Sequence, residues 1–162
     1  MTFSRRHAVL LGVVAAAGIA TTAVAASDNF RTHLSASEET GEVVSDATGQ
    51  ANFQINDDGT EISYRLITAN IENVTQAHIH LGPAGSNGAV VVWLYPAAPP
   101  AQLIEGRSDG VLATGVITAA DLVGPLAGQP LSALLDAIAA GNAYVNVHTT
   151  AYGGGEIRGQ LD

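Results

Sequence analysis

His78 and His80 stand two residues apart in the segment Ala77-His78-Ile79-His80-Leu81. An extended backbone turns successive side chains to opposite faces. Both imidazoles therefore share one face, and Ala77, Ile79 and Leu81 share the other. His148 has the same setting: Val145 and Val147 form the apolar side of Ala143 to Thr149, while Tyr144, Asn146 and His148 form the polar side. Three imidazoles suit zinc or copper and leave a coordination position open. A metal centre of His78, His80 and His148 on the polar face of a sheet is one reading. The other is a hydrogen-bonded polar layer without metal, in which the histidines bond to Asn146, Glu156, Arg158 and loop carbonyls.

The link after His148, Thr150 to Gly155, is Gly-rich, and Glu156 to Leu161 alternates again. A hairpin symmetric about Tyr152 sets His148 opposite Glu156 and Asn146 opposite Arg158, within reach of one another. Glu156 is then expected to hold one nitrogen of His148 and fix its tautomer, freeing the other for a metal. The remaining candidates are weaker. His33 reads as a surface or edge residue. Glu38, Glu39 and Glu42 read as a solvated loop, with calcium as the sharper option. Asn73-Val74-Thr75 is a glycosylation sequon. Gly82 to Gly88 has no Lys and no following helix, so it is a turn and not a phosphate loop. There is no Gly-x-Ser-x-Gly elbow. With no cysteine in the chain, disulfides, thiolate metal sites and a cysteine nucleophile are excluded.

These residues need strands to hold them, and the sequence supplies about eight short ones. Apolar and polar residues alternate in Phe30–Leu34, Gln50–Ile55, Glu61–Thr68, Ala77–Leu81, Ala89–Leu94, Val111–Ile117, Ala143–Thr149 and Glu156–Leu161, with turn residues between them. The expected fold is all-β: an antiparallel, Greek-key-like sandwich or barrel. Tyr95 to Arg107 carries Pro96, Pro99 and Pro100 and is expected to be a loop. Thr118-Ala119-Ala120-Asp121 spells a capping box. Leu131, Leu134, Leu135 and Ile138 keep a 3.6-residue period, which predicts a short helix from about Leu131 to Ala140, stopped at Gly141.

The first 26 residues read as an export signal. Arg5 and Arg6 precede an apolar run from Ala8 to Ala20, and small residues lead to Ala25-Ala26. The Arg pair fits twin-arginine export and also an ordinary signal. Residues 27–162 then form one domain. That part has 4 Arg and no Lys against 15 Asp and Glu, a net charge of −11. So acidic a surface repels phosphate backbones, so nucleic acid is not expected as a partner. The apolar run is too short and too rich in Ala and Gly to be a good span, so no stable membrane insertion is expected after cleavage. The expected location is extracellular or in the cell envelope, the periplasm if two membranes are present.

Several segments together resemble the signature of CHRD (chordin) domains. They are Phe30 to Leu34, Ala47-Thr48-Gly49 with Phe53, Ala77-His78-Ile79-His80, the Gly82 to Gly88 turn, Gly115 through Leu122, Tyr144 to Thr149 and Gly155 to Leu161. The resemblance covers about Phe30 to Leu161. It implies an extracellular β domain, typical of secreted single-domain microbial members, and gives little about mechanism; the expected partner is an unidentified extracellular protein or glycan. His78-x-His80 and His148 also resemble, more distantly, the copper ligands of the copper/zinc superoxide dismutase sandwich. The chain lacks that enzyme's bridging histidine, zinc loop and cysteine pair. Three function classes follow: a binding module holding copper or zinc, a structural or adhesive domain without metal, and a copper-dependent redox enzyme. The first is preferred, and an enzyme is not the favoured reading.

Overall fold

The computed structural model describes residues 29–161; the expected export segment lies outside them. Seven strands are present: β1 (Asn29–Ser35), β2 (Thr48–Ile55), β3 (Ile62–Leu81), β4 (Val90–Tyr95), β5 (Ile104–Ile117), β6 (Ala143–Thr149) and β7 (Ile157–Gln160). All pairings are antiparallel. The order is β2-β1-β7-β6-β3-β4, with β5 on β3 and a further pairing of β2 with β3 that closes the sheet into a barrel-like sandwich. Closure runs through β1, β2, β3, β6 and β7, while β4 and β5 each pair with β3 alone.

Alternation sets what faces inward. Phe30, Phe53 and Tyr64 stand in one cross-strand row of β1, β2 and β3. The two Phe rings stack at 4.8 Å, and Tyr64 follows at 6.3 Å from Phe53. With Leu34, Ile62, Leu66, Ile79, Val145 and Val147 they belong to one core cluster. At the β1–β7 seam, Gly159 lies so close to β1 that a Cβ there would strike the His33 carbonyl and the Thr32 hydroxyl.

The strand count is seven because two expected strands are one. Glu61–Thr68 and Ala77–Leu81 run together as the 20 residues of β3. Asn70 and Asn73 between them take left-handed φ values of 58° and 53°, which asparagine tolerates better than most residues. The pairing with β5 shifts register at both places, so the strand bulges without ending. β5 likewise begins at Ile104 rather than Val111, with Gly106 and Gly110 at positive φ. The expected loop from Tyr95 to Arg107 is therefore shorter, with the prolines in its remaining part. Helix α1 (Ser132–Ala139) buries Leu134 and Ile138, and Gly141 follows it at φ 65°. The capping box forms as read: the Thr118 hydroxyl accepts from the Ala120 amide, and Asp121 accepts from the Thr118 amide. It opens a single 3-10 turn.

Candidate metal centre

β3 and β6 carry the histidines, and their register brings them together. His78 pairs with Asn146, His80 with Tyr144 and Gln76 with His148. The three imidazoles converge, each offering one nitrogen, with those nitrogens within 4.8 Å of one another. Nitrogens bound to one zinc or copper at about 2.0–2.1 Å stand roughly 3.3–3.6 Å apart, so a small convergence of the rings would seat an ion.

Hydrogen bonds settle the protons. The Nδ1–H of His80 donates to the Gly88 carbonyl at 3.0 Å, and that of His148 donates to the Gly153 carbonyl at 3.0 Å. A carbonyl only accepts, so both rings keep a lone pair on Nε2. His148 Nε2 takes the Nδ1–H of His78 at 3.2 Å. The Nε2 atoms of His78 and His80 are buried with no partner. Burial, then the neighbouring His148 and His80, push His78 down to about 3. Burial pushes His148 down to about 4, against the bond to Gly153. Burial lowers His80 as well, opposed by its bond to Gly88 and aided by the Arg158 charge. At neutral pH the site is three uncharged imidazoles, the form that ligates metals.

The polar face is not open to solvent. His78 is 2% exposed, His80 9% and His148 6%, and every residue of β6 is buried. Three connections cover it. The Gly82–Gly88 turn receives the Arg158 guanidinium on the Pro83 and Ser86 carbonyls at 3.1 and 2.8 Å. The Thr150–Gly155 loop supplies Gly153. The segment after β1 brings Glu39 to Asn146 Nδ2 at 2.5 Å and Ser45 to Glu156 at 2.6 Å, and the Val44 carbonyl receives the Tyr152 hydroxyl.

The expected partnership of Glu156 with His148 does not form. Register places Asn146 opposite Arg158 as read, but the chain curls into the loop at Thr149, whose amide bonds the Tyr152 carbonyl. Glu156 accepts from the Thr149 and Ser45 hydroxyls instead. A backbone carbonyl, Gly153, fixes the His148 tautomer. The acidic cluster also divides. Glu38 and Glu42 are exposed, while Glu39 turns inward, and burial raises it to about 7 against the opposing effects of Arg158 and Asn146. His33 is exposed on β1, apart from the three.

Two aromatic residues complete the site. Trp93 of β4 meets His78 edge to face at 4.3 Å. Tyr144 stacks on His80 at 4.9 Å, nearly parallel, and the Arg158 guanidinium lies 3.4 Å from the Tyr144 centroid. Trp93 sits on a strand whose pairing with β3 was not readable from spacing, and nothing in the sequence marked it.

Residues 30–161 match the model of the CHRD domain, and the chain belongs to that family. No curated protein and no solved structure matches it.

Proposed function

We propose that the chain is an exported CHRD-domain binding module, residues 27–162 following an export segment at 1–26, that holds copper or zinc at His78, His80 and His148. Asn146, Glu156 and Arg158 form the polar network that buries the site. The observation that carries this reading is the pair of buried, unpartnered Nε2 atoms on His78 and His80. A buried acceptor without a donor costs roughly 1–3 kcal/mol, and a polar layer kept only for structure would be expected to satisfy it. A bound cation satisfies both atoms at once. For His148 to ligate as well, its Nε2 releases the bond it accepts from His78 Nδ1. The carbonyls of Gly88 and Gly153 then act as the outer partners that orient ligating histidines. Among the described residues no helix is long and apolar enough to cross a membrane. The leader read at residues 1–26 supports work outside the cytoplasm, where the remaining partner is an extracellular protein or glycan.

The test is elemental analysis and metal titration of the purified protein beside a His78→Ala/His80→Ala variant. Copper or zinc near one per chain in the parent, lost in the variant, is the expected result. No uptake by either protein at micromolar metal would sink the proposal and return the histidines to a structural role.

A further inference from the structure

We propose that the three-histidine site selects monovalent copper over zinc and cupric dications; this deepens the metal-binding reading and rests on it. The donors are three neutral imidazoles, and no Asp, Glu or Cys joins the cluster among the described residues. Glu156 is occupied by Thr149 and Ser45, and Glu39 by Asn146. A bound ion therefore gains no anionic ligand inside a site whose rings are at most 9% exposed. The desolvation cost of a buried ion rises with the square of its charge, so a dication suffers about four times the penalty of a monocation.

A fixed cation sharpens the difference. Arg158 is 1% exposed, and its guanidinium is anchored on the carbonyls of Pro83 and Ser86. It faces Tyr144 at 3.4 Å, and the Tyr144 ring stacks on His80 at 4.9 Å. Through these two ring contacts the guanidinium charge is held close to the ligand set. The Coulomb repulsion from a fixed positive charge is twice as large for a dication as for a monocation at the same place. Coordination points the same way. Zinc on three histidines takes a water as its fourth ligand, which a site this buried disfavours, whereas copper(I) is satisfied by three nitrogens.

The experiment titrates the purified, metal-free protein with copper(I) under anaerobic reducing conditions against a chromogenic copper(I) chelator. Zinc(II) is titrated separately against a zinc-sensitive dye. Copper(I) is expected to bind tighter and to be retained against about a hundredfold excess of zinc. Arg158→Met should narrow the copper(I) to zinc(II) affinity ratio by roughly tenfold or more, while Arg158→Lys, which keeps the charge, should change it by less than about threefold. Should Arg158→Met fail to fold, the midpoint potential of copper in the unaltered protein tests the same preference. It should lie above that of the aqueous Cu(II)/Cu(I) couple. Zinc binding as tight as copper(I), and lost with the histidines, would overturn the preference while the site stands. A potential below the aqueous couple would do the same. Uptake of neither metal would bring down the site and the preference together.

Discussion

The two halves of β3 follow the same rule of alternation and meet different fates. From Ile62 to Thr68 the strand is buried and exposed in turn, with Ile62, Tyr64, Leu66 and Thr68 inside and Ser63 and Arg65 in solvent. From Ala77 to His80 every residue is buried. In the first half the outer face carries side chains that water satisfies. In the second it carries His78 and His80, and three connections have closed over them. Alternation decides which way a side chain points; it does not decide whether that side is wet. A polar residue on a dry face must find partners within the protein, and this is where the chain gathers its chemistry.

If this contrast is right, two arginines on outward-facing positions should respond very differently to removal. Arg158→Ala takes a guanidinium from the Pro83 and Ser86 carbonyls and from the Tyr144 ring. Charge-assisted hydrogen bonds and a desolvated cation–π contact together predict a loss of about 3 kcal/mol or more. Arg65→Ala, on the exposed face of the same sheet, should stay within about 0.5 kcal/mol. Urea unfolding of both variants measures the difference. Equal losses would break the contrast and place the strain of the fold elsewhere.

Much of this contrast was legible in the residues, and part was not. Local periodicity gave the inward residues of Ala77–Leu81 and Ala143–Thr149, the α1 stripe of Leu134 and Ile138, and the capping box at Thr118. The Gly-rich link placed Asn146 opposite Arg158. The fusion of two strands into β3 was missed because Asn70 and Asn73 look like turn residues, and here they only bulge the strand. The cover was missed because its contacts are remote: Glu39 meets Asn146 107 positions away, and Ser45 meets Glu156 111 positions away. No short-range pattern encodes such a pair. The acidic run of Glu38, Glu39 and Glu42 looked uniform until the fold buried one of its members.

A pH titration should sharpen the comparison by isolating the dry half. In the unfolded chain the histidines take up protons near 6.5, while in the folded protein His78 and His148 resist until about 3 and 4. Through that window the unfolded state binds more protons, so stability falls as the pH is lowered from about 6.5 toward 3. His80 is lowered too, so His78→Gln removes one of three contributions and should flatten the acid limb of a plot of Tm against pH. An unchanged limb would mean that the imidazoles are not held neutral by burial. The effect should be smaller than the loss on removing Arg158, because His80 and His148 still titrate.

Glu39 should give the smallest change, of opposite sign. Its folded carboxyl is raised from 4.5 to about 7, by burial first, with Arg158 and Asn146 opposing. Between those values the folded state binds more protons than the unfolded one. The contribution of Glu39 is therefore fully present below about 4.5 and is lost as the pH rises through 7. The histidines and Glu39 thus pull stability in opposite directions across overlapping windows, which should leave a shallow maximum on the weakly acidic side of neutrality. Glu39→Gln keeps an oxygen to accept from Asn146 Nδ2 and removes the charge. Its Tm should exceed that of the parent at pH 8 and match it at pH 4. Because Glu39 is only half-buried, solvent screens much of the effect, and the gain should be modest. A variant that is less stable than the parent at pH 8 would show that the ionised carboxylate is wanted where it stands, as the counter-charge to Arg158. The covered face would then be held by an ion pair rather than by neutral hydrogen bonds.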